Sequence, residues 1–446
     1  MSIFAEQDAR AILEKAVALS KADECTARLA GAVNGNVRFA LNNVTTSGVV
    51  SDASLEVQVA YGKRVGIATI NQFDDDALTR TVHRAEELAK VAPENEEFMP
   101  ALEKQSYKPT PSYDESVAAI TPEYRATVAA QSIAPCRADR LVAAGFLTDS
   151  ASLSAFANSN GNFGYQRATD LDYTCTVRTA DGSGSGWVGR NVRSVAQFDA
   201  DAAMRTGIEK AKGSAGAKTL EPGKYTVILE PAAAAGLLER MMDAFDAREA
   251  DEGRSFLTKK GGGNRLGEKL FDERVSIHAG PADVDVPVLP WDGEGLPREQ
   301  IPYVDKGRVA NLQYSRYWAK MNKAKATAMP GNIIMAGGTK STDELVKSTQ
   351  RGVLVTRTWY IRMVDPQVVL LTGLTRDGVF YIEDGEIKYP IKNFRFNESP
   401  VIMLNNVEEL GRPIRLGGAG GESTTLMMVP PMKLRDFTFT SLSDAV

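Results

Sequence analysis

The chain has 446 residues, of which 43% are hydrophobic and 24% charged; that composition excludes global disorder, and the length predicts two domains rather than one compact core. The formal net charge is -5, with no cluster of Lys and Arg, which argues against direct nucleic-acid contact because such binding neutralises phosphates. The opening MSIFAEQDARAIL has no basic stretch followed by an apolar core, and no later window would span a bilayer, so a cytoplasmic protein without a membrane partner is expected.

From Asp8 onward, Ile12, Leu13, Ala16 and Val17 recur at helical spacing. Leu55, Val57 and Val59 alternate with Glu56 and Gln58, the pattern of a half-buried strand. A second helical stripe, Leu78, Val82, Ala85 and Ala89, follows Asp74 and Asp75, which suit its N-terminus, and Pro93 closes it. Prolines at 93, 100, 109 and 111 mark an irregular connection over 93–115. Thr121-Pro122 starts another helix, and strands are predicted over 141–146 and 173–177 with turns at 158–161 and 181–186.

The small-residue run GSAGAKTLEPG after Lys212 is read as the domain boundary. It divides a mixed α/β N-terminal domain, 1–215, from a largely antiparallel β domain, 220–446, an α+β protein as a whole. Asp305-Lys306-Gly307 and Asp384-Gly385 are placed to form hairpin turns in the second half.

Chemistry-bearing residues are sparse. The two histidines stand alone: His83 faces Glu86 and Glu87 on a helix without a second imidazole, and His278 lies on a strand that ends in a turn. Cys25, Cys136 and Cys175, odd in number and far apart, fit reduced, buried thiols better than disulfides or nucleophiles. Gly261 to Gly263, after two lysines, lack the GxxxxGK[ST] pattern of a phosphate loop.

Longer segments carry more information. They are RVGIAT (64–69), WDGEGLPREQIPYVDKGRVANLQYSRYWA (291–319), RGVLVTRT (351–358) and TRDGVFYIEDGEIKYPIKNFRFNES (375–399). On these the chain resembles the TldD/PmbA family, peptidase-related proteins once called modulators of DNA gyrase. Active members carry HExxxH on a helix, where two histidines hold zinc and the glutamate acts as base on the metal's water, and a cysteine in a glycine-rich turn completes the site. The corresponding helix here, after the strand Tyr225–Leu229, reads GLLERMMDAFD, with Glu239, Arg240 and Ala244 at the three motif positions and Ala419 at the cysteine's. The resemblance therefore implies the metal-free PmbA/TldE-like branch, with no metal and no cofactor. In that branch the chain would be a non-catalytic subunit whose partner is a zinc-bearing TldD-like homologue, or a second copy of itself in a dimer, and whose substrate is unfolded peptide bound by strand addition. Arg376, Asp377, Arg395 and Asn397 are the residues expected to line the peptide cleft. Glu239 and Asp243, four apart, could pair as oxygen ligands for another metal, but read better as a solvated acidic face beside Arg240. Two other functions stay open: a stand-alone homodimeric peptide-binding module, and an enzyme with unrecognised metal-free chemistry.

Overall fold

The computed structural model describes residues 3–417 and 425–443. The first half consists of α1 (Glu6–Leu19), β1 (Glu24–Ala40), β2 (Asn43–Tyr61), β3 (Arg64–Ile70) and α2 (Asp75–Val91), then α3 (Glu115–Ala118) and α4 (Pro122–Ala138). It ends with β4 (Leu141–Asn158), β5 (Phe163–Thr179), β6 (Ser185–Val192) and α5 (Ala200–Gly213). Its strands form one antiparallel sheet in the order β3-β2-β1-β4-β5-β6. Strands β4 and β5 run much further than 141–146 and 173–177. In β4 Ala151, Leu153 and Ala155 alternate with serines, and a buried face built mainly from alanine carries little apolar signal.

Along β1 the odd-numbered residues Cys25, Ala27, Leu29, Val37 and Phe39 are buried on one face. Helices α1 and α2 cover one end of that face and α4 and α5 the other, giving two separate apolar clusters. Between the clusters lies a buried ion pair, in which Arg125 donates to both oxygens of Asp149 at 2.6 and 2.7 Å. Gly35 makes room for it, since a Cβ there would stand 1.8 Å from the Arg125 guanidinium. The helix starts follow the sequence: Asp74 and Thr121 accept from Ala77 and Tyr124 N–H groups as caps.

The second half contains β7 (Gly223–Leu229), α6 (Pro231–Asp243), α7 (Ala247–Asp251), β8 (Ile277–Ala279), β9 (Ile301–Asp305), β10 (Arg308–Val309) and α8 (Arg316–Asn322). Next come β11 (Asn332–Met335), α9 (Thr342–Lys347), β12 (Arg351–Asp365), β13 (Leu370–Glu383), β14 (Glu386–Pro390) and β15 (Phe394–Glu398). The remainder is α10 (Pro400–Asn405), β16 (Val407–Leu410), β17 (Ile414–Leu416), β18 (Leu426–Val429) and β19 (Met432–Leu442). One sheet has the order β10-β9-β8-β11-β18-β17. In the other, β12, β7, β19, β15 and β13 pair in sequence, and β12 also pairs with β13, so these five strands close on themselves as a small barrel. Pairing is antiparallel except for β7 with β12 and β11 with β18. The protein is α+β.

The irregular connection over 93–115 is firmly tied down. Tyr107 from it packs edge to face on Phe156 of β4 and on Trp291 of the second half, which are tilted against each other, with all three ring centroids 5.3 to 5.4 Å apart. The Tyr107 hydroxyl donates to the Gly295 carbonyl at 2.7 Å, and burial followed by the Asp292 charge pushes its pKa up to about 12.

Candidate functional site

Helix α6 is the centre of the second half. It leaves the buried end of β7 through Pro231 at its first turn, and every residue from Pro231 to Glu239 is buried. Four consecutive alanines, 232 to 235, leave little side-chain bulk, so the helix fits between the barrel strand β12 on one side and β17 and β18 on the other. Thr358 of β12 donates its hydroxyl to the Ala233 carbonyl at 2.8 Å, fixing the helix against the barrel.

The helix delivers three side chains to its C-terminal end. Glu239 is 6% exposed and accepts a hydrogen bond at 2.9 Å from the backbone N–H of Thr425, where the chain enters β18. Arg240 turns outward and lies 3.6 Å from Asp243. Ala244 caps the helix, its carbonyl accepting from Ser255 Oγ at 2.7 Å. Asp243 and Ala244 border a cavity of about 340 Å³ that Arg254, Ile361 and Met363 also line. At that cavity wall, loss of surrounding water and then the charge of Glu239 raise the Asp243 carboxyl above its usual range, with Arg240 opposing. The solvated acidic face read from the Glu239 and Asp243 spacing is thus corrected: Asp243 is exposed, but Glu239 points inward because the helix is enclosed by two sheets and its carboxylate has a backbone donor. Ala419 lies outside the described residues.

Both ends of the glycine-rich segment are anchored. Beyond it stands the Thr425 contact with Glu239. Before it, Arg415 of β17 donates to Asn191 Oδ1 at 2.6 Å and to Asp170 at 3.2 Å, crossing to the N-terminal sheet. Asn191 in turn donates to both Asp170 and Asp172. Burial raises the Asp170 carboxyl, against the pull of Asn191 and Arg415.

The four residues expected to line a cleft divide. Arg376, Arg395 and Asn397 share the outer face of the barrel, since Arg395 lies opposite Leu374 and Asn397 opposite Thr372, and Arg376 continues that alternation. Asp377 does not join them. It is 2% exposed, has a φ of +58° beside an irregularity of the β12–β13 ladder, and accepts from Ser185 Oγ at 2.7 Å and from Arg357 at 3.2 Å. Its role is therefore a contact between the halves, because a buried carboxylate needs donors and the N-terminal sheet supplies one. Arg357 is sandwiched between Trp187 at 4.6 Å and Trp359 at 4.5 Å, and Arg376 lies 5.2 Å from Trp359. Arg357 lies in the RGVLVTRT segment, but Trp187 and Trp359 fall in no motif, and only the fold brings the three together.

His83 is exposed on α2 with Nδ1 3.6 Å from Glu87, and His278 sits in β8 opposite Ile334 and Pro302. The three cysteines are buried, and burial first of all raises Cys25 and Cys136 to about 11 and Cys175 to about 12. Gly261 to Gly263 form an exposed turn with positive φ throughout.

Residues 222–441 match the PmbA/TldA metallopeptidase C-terminal domain, and residues 25–89 match PmbA/TldA metallopeptidase domain 1. The chain belongs to the TldD/PmbA family. It is 23% identical to the Metalloprotease PmbA of Escherichia coli O157:H7 over 93% of this chain and 94% of that protein. It is 27% identical to a Metalloprotease of Methanothermobacter thermautotrophicus over 62% of this chain and 64% of that protein, less than two thirds of its length. In fold it is similar to the crystal structure of TldE from Thermococcus kodakarensis, with a TM-score of 0.86 at 17% identity, covering 97% of this chain and 99% of that one.

The zinc of TldD/PmbA metallopeptidases needs imidazole or thiolate nitrogen and sulfur, or carboxylates free to coordinate. Among the described residues, no three His, Cys, Asp or Glu side chains are grouped closely enough to hold a metal ion. At the motif positions a carboxylate is engaged with a backbone N–H, a guanidinium brings positive charge and a methyl offers no ligand. These residues do not fit zinc. No described helix is long and apolar enough to cross a membrane.

Proposed function

We propose that this chain is a metal-free, non-catalytic subunit of a TldD/TldE-type peptidase assembly that acts on unfolded peptides, partnered by a zinc-bearing TldD-like homologue. The observation that carries this reading is Glu239. It stands at the position of α6 that the resemblance assigns to a zinc-binding histidine, and its buried carboxylate is instead committed to the Thr425 N–H at the start of β18. The outer barrel face with Arg376, Arg395 and Asn397 is the surface we assign to peptide, where the guanidinium groups and the amide offer side-chain donors to the carbonyls of an extended chain.

The purified chain incubated with an unfolded peptide should leave it intact. Adding the HExxxH-bearing homologue from the same cell should give cleavage that a chelator abolishes. Chelator-resistant cleavage by the chain alone would instead favour unrecognised metal-free chemistry, and peptide binding without any effect of the homologue would favour the stand-alone binding module.

A further inference from the structure

Residues opposite each other in a β-ladder share one face of the sheet. The pairings Trp359–Leu374–Arg395 and Arg362–Thr372–Asn397 therefore set two rows of side chains on the outer face of β12, β13 and β15, and Arg376 follows two residues beyond Leu374 along β13. Arg362, Arg395 and Asn397 are exposed, and Trp359 and Leu374 are half-buried between them. This face is basic and supplies no acid of its own. No Asp or Glu occurs over 359–363, 370–376 or 394–397, and the acids that flank these stretches on β13 and β15, Asp377 and Glu398, are buried and hold donors of their own.

The three guanidinium groups are held differently. Arg376 lies 5.2 Å from the Trp359 ring, with Nε 3.9 Å from the buried Asp377 carboxylate. Arg362 donates to the Ile361 carbonyl at 2.8 Å, and no carboxylate among the described residues comes within ion-pair distance of Arg362 or Arg395. Strand geometry sets their spacing. Same-face residues two apart on a strand are separated by about 7 Å and neighbouring strands by about 4.8 Å. Arg376 and Arg362 thus stand about 15 Å apart between Cα atoms, at the ends of a line that passes between Leu374 and Trp359, and Arg395 flanks its centre about 8 Å from Arg376.

We propose that this face selects acidic peptide, an extended segment with an apolar side chain set midway between two carboxylates. In an extended chain the residues i, i+2 and i+4 face the same way over about 14 Å, which matches the line from Arg376 across Leu374 and Trp359 to Arg362. The carboxylates at i and i+4 meet the two outer guanidinium groups, and the apolar side chain at i+2 covers Leu374 and Trp359. A guanidinium holds a carboxylate through two parallel charge-assisted bonds, each roughly twice as strong as a neutral one to a carbonyl, so the acidic segment gains over a neutral chain. A nucleic acid fits less well, because Leu374 at the centre offers nothing to a phosphate and the net charge of -5 opposes a densely charged polyanion. The inference rests on the assignment of this face to peptide and adds the substrate class to it.

Fluorescence anisotropy with the full chain tests it on three labelled peptides with blocked ends: Glu-Ser-Leu-Ser-Glu and its counterparts with Gln or Lys at both outer positions. At low ionic strength the Glu peptide should bind about tenfold more tightly than the Gln peptide, and the Lys peptide more weakly than either. Added salt should shrink that lead. Combining Arg362→Glu with Arg395→Glu should invert the order and put the Lys peptide first, a gain that an unfolded variant could not give. Equal binding of the Glu and Gln peptides overturns the proposal, as does an order that the double variant leaves unchanged, or an oligothymidylate of matched charge that displaces the Glu peptide at equal concentration. Binding of none of the three also removes the assignment of this face to peptide, whereas equal binding of Glu and Gln removes the charge preference alone. The cleavage experiment above is decided independently of both.

Discussion

Glu239 shows what a single residue can reveal only once it is folded. In the sequence it stands beside Arg240 and four residues before Asp243, the spacing of an exposed acidic stripe, and nothing local says that α6 will be enclosed by two sheets. In the structure its carboxylate is buried and committed to the Thr425 N–H. Glu239→Ala leaves that N–H without its acceptor and should cost about 1–3 kcal/mol in urea denaturation, whereas Glu239→Gln, which keeps an acceptor oxygen, should cost less. The cysteines were legible, since odd number and wide spacing already favoured buried thiols. With Cys25, Cys136 and Cys175 raised from 9.0 to between about 11 and about 12, burial favours the neutral thiol. Their contribution to stability is therefore complete below about pH 9 and is lost as pH rises through the folded values. At pH 8 none of the three should react with an aromatic disulfide reagent until denaturant is added; rapid labelling of the native protein would contradict their burial.

Elements with strong periodicity or turn chemistry were readable. Helices α1 and α2 lie where apolar stripes placed them, and the Asp384-Gly385 and Lys306-Gly307 turns form the hairpins their glycines allow. What escaped were β1 and most of the length of β4 and β5, where alanines, glycines and polar residues such as Asp149, Gln166 and Thr169 interrupt the apolar residues of the buried face. Gly35 is the sharpest case: it reads as a strand-weakening residue, yet its missing Cβ is the space into which Arg125 reaches Asp149. Removing one partner of that pair strands a charge between two apolar clusters. Asp149→Ala should therefore destabilise the N-terminal sheet by about 3–5 kcal/mol in chemical denaturation. A loss no larger than that of an exposed ion pair would show that water reaches Arg125.

Across the whole molecule, the α+β class followed from helical stripes in the first half and hairpin signals in the second, and the family from segments scattered along the chain. The closure of β12, β7, β19, β15 and β13 into a barrel depends on partners far apart in sequence, as does the aromatic junction of Tyr107, Phe156 and Trp291. The segment around Asp377 suggests a cleft residue, and only the assembled fold shows its contact with Ser185 of the other half. The proposal for the whole molecule is that the end of α6 in this member of the TldD/PmbA family binds no metal. It is tested most directly by elemental analysis of the purified chain after exposure to excess zinc and exhaustive dialysis. No stoichiometric zinc should remain, since Glu239, Arg240 and Ala244 supply no ligand set. One tightly held zinc per chain would contradict it.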